Sequence, residues 1–202
     1  MRRLAVTATC LLAALGTLTA CESSNTAAPA ATTAAATATS AAPSPTPTPP
    51  PSPRVPLPLG ETWEWEVGDG KVSGSATVLG YRQRVALDAP TPEEDSGAES
   101  KGYVWAALEV KVCNNPTSAD PIIVSNTPWV LAYADGAQIQ PSSTTYDAFP
   151  RPEFPIGDTQ LAAGRCIQGE TVYPVPGDQR PTAAVYAPEG LEEPTEWTIP
   201  AN

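Results

Sequence analysis

Histidine is absent from this chain, and its single methionine is Met1. Without imidazole the commonest general base and metal ligand is missing, so Ser-His-Asp and Cys-His arrangements cannot be built. With no internal thioether, soft-metal and haem sites also lack their usual donors, and no metal or cofactor is expected. Positive charge is scarce: 11 Lys and Arg stand against 22 Asp and Glu, a net charge of −11. Residues 55–202 hold 8 of the bases and 21 of the acids, a net −13 that is expected to repel nucleic acid and anionic headgroups, and phosphate-rich wall polymers too unless cations bridge. No nucleic-acid partner is expected. Long hydrophobic runs are missing too, because the one apolar stretch, Leu4–Leu18, is shorter than the roughly 20 residues of a membrane-crossing helix. No window of ten or more residues shows helical periodicity with caps, which excludes a helical fold.

The amino terminus has a basic start (Arg2, Arg3), the apolar stretch just named, and small residues at Thr19 and Ala20. Residues 1–20 therefore read as a secretory signal peptide. The seam "LTAC", Leu18–Cys21, resembles the lipobox of bacterial lipoproteins, with Leu18 at the apolar position and Thr19 and Ala20 small. The resemblance implies that Cys21 takes a diacylglyceryl group and becomes the new amino terminus. Two acyl chains anchor a protein stably where one does so marginally. The chain is thus expected to be extracytoplasmic, anchored by lipid to the outer face of the cell membrane; the alternative is plain secretory cleavage after Ala20. From Cys21 to Arg54 the chain is almost wholly Ala, Thr, Ser and Pro and cannot build a core, so 21–54 reads as a disordered tether. Fully extended, it would reach on the order of 100 Å.

Cys10 leaves with the signal peptide and Cys21 is used by lipid, so one disulfide is available, Cys113–Cys166. Closing a loop of 53 residues stabilises by about 4 kcal/mol in the chain-entropy model. The pair has neither a CxxC spacing nor a neighbouring base, which argues against a reactive thiol role.

Residues 55–202 suit one domain and carry all five tryptophans, at 63, 65, 105, 129 and 197. "TWEWEV" alternates with period two, placing Trp63, Trp65 and Val67 on one face. "GDG" at 68–70 is a turn. Lys71–Leu87 reads as a long strand with bulges or bends at Gly74 and Gly80. "YVWAALEVKVC", Tyr103–Cys113, has a continuous apolar face from Val104 to Val112. Cys113 falls on the other face, so a buried disulfide would need a bend near Asn114–Pro116. "PWVLAYADGAQIQ" reads as a hairpin turning at Asp135–Gly136, and "GRCIQGETVYPVP", "TAAVYAP" and "TEWTIP" as further strands. About seven strands separated by turns predict an all-β, two-sheet antiparallel sandwich, with a partly open barrel as the alternative.

The order of these segments resembles the immunoglobulin-like extracytoplasmic lipoprotein domains of actinobacteria and firmicutes. The shared features are a strand ending in Asn (Asn114), a "D-G" hairpin (Asp135, Gly136), an "L-x-x-G" turn (Leu161, Gly164) and a strand ending in Pro (Pro174 or Pro176). The resemblance implies an immunoglobulin-like β-sandwich over 55–202 and a location in the envelope. It implies no catalytic residues, since that family has no general assigned activity. The acidic loop at 88–101 and the insertion "STTYDAFPRPEFPIGD" depart from the pattern.

Three readings of function follow. The leading one is a non-enzymatic, lipid-anchored module in a Gram-positive, actinobacterial-type envelope that presents a surface to another envelope protein. Tyr146, Phe149 and Phe154, in the long proline-rich loop, are its candidate binding residues, or else they pin that loop to the domain. The second is a carbohydrate-binding module for wall polysaccharide, which requires an exposed row of tryptophan or tyrosine rings. The third, a hydrolase with paired carboxylates, requires two acids about 5–10 Å apart in a cleft. Glu93, Glu94 and Asp95 are the densest acids, read as solvated loop charges, with a calcium site as a further alternative.

Overall fold

Period-two alternation recurs along the chain from Thr62 onward, and each alternating segment is a strand. The computed structural model describes residues 55–97, 99, 101–191 and 193–201. The signal peptide, Cys21 and the tether lie outside the described residues. The elements are β1 (Leu57–Pro58), β2 (Thr62–Val67), β3 (Val72–Gln83), α1 (Pro92–Ser96), β4 (Tyr103–Asn114), β5 (Ile122–Val124), β6 (Trp129–Ala132), β7 (Gln138–Ile139), β8 (Thr159–Leu161), β9 (Cys166–Pro176), β10 (Ala183–Tyr186) and β11 (Thr195–Thr198). One sheet runs β2-β3-β4-β9 and the other β1-β11-β10-β6-β7, with β5 and β8 as a separate pair. All pairings are antiparallel except that of β1 with β11. The chain is an antiparallel β-sandwich of immunoglobulin-like build. Among the described residues eleven strands stand where about seven were expected. The surplus includes β1, β5 and β8, of two or three residues each, too short for alternation to show.

The core lies between the two large sheets. Val78, Leu108, Val110 and Tyr173 come from one, and Trp129, Leu131, Ala184 and Trp197 from the other. The Trp129 ring stacks on Tyr186 with centroids 4.2 Å apart and lies 5.9 Å from Trp197. Both tryptophans are fully buried, and truncating such a side chain typically costs about 3–5 kcal/mol. β5 and β8 add Ile122, Val124 and Leu161 to this core.

The two glycines of β3 have different roles. A register shift falls between Val78 and Gly80, leaving Leu79 exposed, as a bulge does. Gly74 makes no bulge: a Cβ there would lie 2.4 Å from the Trp65 ring and 2.7 Å from the Cys113 carbonyl. It is glycine because the Trp65 indole lies against the backbone.

The Cys113–Cys166 disulfide forms between residues directly opposite in β4 and β9. Cys113 is half-buried and Cys166 exposed, so the bond is on the outer face of its sheet and no bend is needed to bury it. The alternation of β4 holds to its end.

Candidate functional site

The acidic segment is more ordered than a solvated loop. Thr91 caps α1: its hydroxyl accepts from the Glu94 backbone N–H, and the Glu94 carboxylate accepts from the Thr91 backbone N–H at 2.7 Å. That backbone bond, then the Thr91 hydroxyl, holds the Glu94 carboxyl below its ordinary range. Glu94 is thus a capping group. The segment is also tied to the domain, because Trp105 Nε1 donates to the Pro90 carbonyl at 2.6 Å and the Tyr146 hydroxyl donates to Asp95. No group of three or more acids or cysteines among the described residues is arranged to hold a metal ion.

Tyr146 and Phe149 join Trp105 and Val172 in a second, smaller cluster on the outer face of β4 and β9. Phe149 is 4% exposed, with its ring centroid 5.0 Å from that of Trp105. Phe154 is 2% exposed and belongs to the main core. Tyr146 alone of the three keeps a half-buried ring, and its hydrogen bond to Asp95, more than burial, raises its pKa. The long loop is fastened to β9 at its far end, where the Phe154 N–H donates to the Glu170 carbonyl and the Glu170 N–H to the Pro152 carbonyl. Gly169 permits this approach, since a Cβ there would meet the Phe154 nitrogen at 2.6 Å.

Glu170 is 8% exposed. One carboxylate oxygen accepts from Arg82 Nη2 at 2.6 Å, while the other is buried with no hydrogen-bond partner. Burial pushes its pKa up against the pull of Arg82, and Glu109, opposite it on β4, adds to the rise. Neither Glu109 nor Glu170 stood out in the sequence, because they are 61 residues apart and only strand pairing makes them neighbours.

A depression of about 800 Å3 runs beside β2, the terminal strand of its sheet. Trp63, Trp65, Val67 and Leu191 form its apolar wall, and Glu64, Glu66 and Glu193 its acidic rim. Trp63 and Trp65 are half-buried, while Trp105, Trp129 and Trp197 are buried, so none of the five tryptophans is an exposed platform. The β2 wall was legible from "TWEWEV". The Gly190–Glu193 wall was not, because nothing local marks which loop will face a distant strand.

No family model and no curated protein sequence matches the chain. Among solved structures, the chain is similar to MPT63, a secreted protein of Mycobacterium tuberculosis, with a TM-score of 0.52 and 15% identity over 71% of this chain and 96% of that one. It is also similar to the YjhA protein of Bacillus subtilis, with a TM-score of 0.46 and 14% identity over 71% of this chain and 99% of that one. The candidate lipoprotein YcdA of Bacillus subtilis gives a TM-score of 0.46 and 15% identity over 67% of this chain and 38% of that one. The likeness to MPT63 is one of fold.

Proposed function

We propose that this chain is a non-enzymatic envelope module, anchored through a lipid on Cys21, that binds a protein partner along β2. The observation that carries the reading is the depression beside that strand: a terminal sheet strand, two half-buried indoles and an acidic rim. A terminal strand offers backbone groups to an added strand, and alternate side-chain positions give specificity. Charge selects the occupant. Two copies of β2 paired edge to edge would bring Glu64 and Glu66 together with their counterparts, which native sheets use to block self-association. A strand rich in Lys or Arg meets no such penalty, so the partner segment is extended and basic. The secreted nature of MPT63, which has the same fold, agrees with an extracytoplasmic role.

The probe is a soluble peptide of alternating Lys and Val, titrated into the exported chain while tryptophan emission is followed. Saturable binding that weakens with salt and is lost in Glu64→Lys/Glu66→Lys is expected. Equal binding to the variant, or none, rejects the site. Co-sedimentation with cell-wall sacculi that depends on Trp63 or Trp65, without peptide binding, would replace the protein reading with the carbohydrate one.

A further inference from the structure

The surface of residues 55–202 is acidic, yet four of its eight bases, Arg82, Arg84, Lys101 and Arg180, meet at one end of the sandwich. They line two adjoining depressions of about 510 and 560 Å3 that share Arg84, Gly177, Asp178 and Gln179. Arg82 is neutralised by Glu170. The other three have no carboxylate partner among the described residues. Arg84 Nη2 donates to the Gly177 carbonyl at 2.7 Å, and Arg180 Nε to the Pro200 carbonyl at 2.9 Å. The Arg180 guanidinium also lies 4.8 Å from the centroid of the Tyr81 ring. These contacts hold both guanidiniums in place without cancelling their charge, the arrangement that makes an anion site preorganised.

The support beneath the cations is firm. Gln83 Nε2 donates to the carbonyls of Pro176 and Gln179, each at 2.9 Å, and Gly177 N–H to the Gly102 carbonyl at 3.0 Å. Arg84 itself sits at φ 63°, a left-handed conformation that costs energy in a residue with a side chain. The three cations come from three separate segments, at the end of β3, before β4 and after β9: Arg84 lines both depressions, Arg180 the first and Lys101 the second, and the one carboxylate lining them, Asp178, leaves positive charge in excess. A tetrahedral phosphate accepts hydrogen bonds from such divergent directions, whereas a carboxylate accepts in its own plane.

We infer that the two adjoining depressions that meet at Arg84, one with Arg180 and the other with Lys101, bind phosphate groups, as monoesters or diesters. The same chemistry is offered by a phospholipid headgroup and by a phosphodiester wall polymer. The site is separate from the β2 depression, with which it shares no lining residue.

The test measures binding of the exported chain to poly(glycerol phosphate), to phosphatidylglycerol vesicles, and to polyglutamate of matched charge. Arg84→Gln/Lys101→Gln/Arg180→Gln is expected to lose at least about tenfold in affinity and to lower the salt slope by about 2–3. Lys71→Gln/Lys111→Gln/Arg165→Gln, with the same change in net charge outside the depressions, is expected to bind like the parent. Lys101→Glu alone, at an exposed side chain, is expected to weaken binding several-fold, and covers the case in which loss of the Arg84 bond disturbs the fold. Binding to the polymer only, or to the vesicles only, supports the site and identifies the source of the phosphate. No binding to either, equal losses in the two triple variants, or polyglutamate binding as tightly as the polymer would overturn it.

Discussion

Glu170 has a carboxylate with one oxygen on Arg82 and the other buried without a partner. Its folded pKa is raised above the ordinary 4.5, chiefly by burial, so between that value and the folded one the native state holds more proton than the unfolded state. Stability from this group is therefore fullest at or below about pH 4.5 and falls as pH rises through the folded pKa. Glu170→Gln should remove that component. Urea midpoints measured across this window should decline with pH more steeply in the parent than in the variant, and parallel profiles would show that the carboxylate does not titrate abnormally. Asn114 is a parallel case, a buried polar side chain that is used on one side only, since its Oδ1 is buried with no hydrogen-bond partner among the described residues. Its Nδ2 donates to the carbonyls of Asp120 and Leu161, at 3.1 and 2.9 Å, and its backbone carbonyl accepts from the Gly164 N–H at 2.9 Å. Three of the positions named in the family resemblance, Asn114, Leu161 and Gly164, are thus one hydrogen-bonded corner.

Two turns between elements show how little local chemistry a strand connection needs. Gly136 and Gly164 both adopt left-handed φ, 87° and 73°. At the first, the Asp135 carboxylate also accepts from the Ala137 N–H at 2.9 Å, which closes the β6–β7 hairpin. The disulfide acts on a larger unit, joining β4 and β9 at the end of an eleven-residue-pair ladder. Removing it as Cys113→Ser/Cys166→Ser should cost about 4 kcal/mol for a 53-residue loop, read as a lower urea midpoint with a somewhat steeper slope, because the unlinked chain exposes more surface on unfolding. A loss below about 1 kcal/mol would mean that the ladder constrains the unfolded chain already. The acidic segment shows the limits of pattern reading. α1 has only five residues, below the length at which periodicity can be seen, although its Thr91-to-Glu94 capping box was present in the letters.

Across the whole domain, charge is segregated. Acids line β2, whereas Arg82, Arg84, Lys101 and Arg180 line the depressions at the end of β3 and beside the turn after β9. Anchoring is tested with Cys21→Ser, which should move the chain from the membrane fraction to the medium and abolish incorporation of a labelled fatty acid. Retention in the membrane fraction with unchanged labelling would exclude Cys21 as the acceptor.

Fold class was legible because it rests on local alternation: the inner face of β4 from Val104 to Val112 can be read off the letters, and a half-buried sheet is the only structure that period suits. The disulfide pairing followed from counting cysteines. The placement of side chains relative to distant segments was not legible. Phe149 and Phe154 share a loop and a chemistry, yet one lies in the outer cluster and the other in the main core, according to which side of β9 each reaches. The pairing of Glu170 with Arg82, the wall opposite Trp63 and Trp65, and the gathering of Arg84, Lys101 and Arg180 likewise arise only when the sheets assemble. Alternation specifies which face of a strand is buried; which strands become neighbours is decided by the tertiary fold, and every candidate site here lies between neighbours.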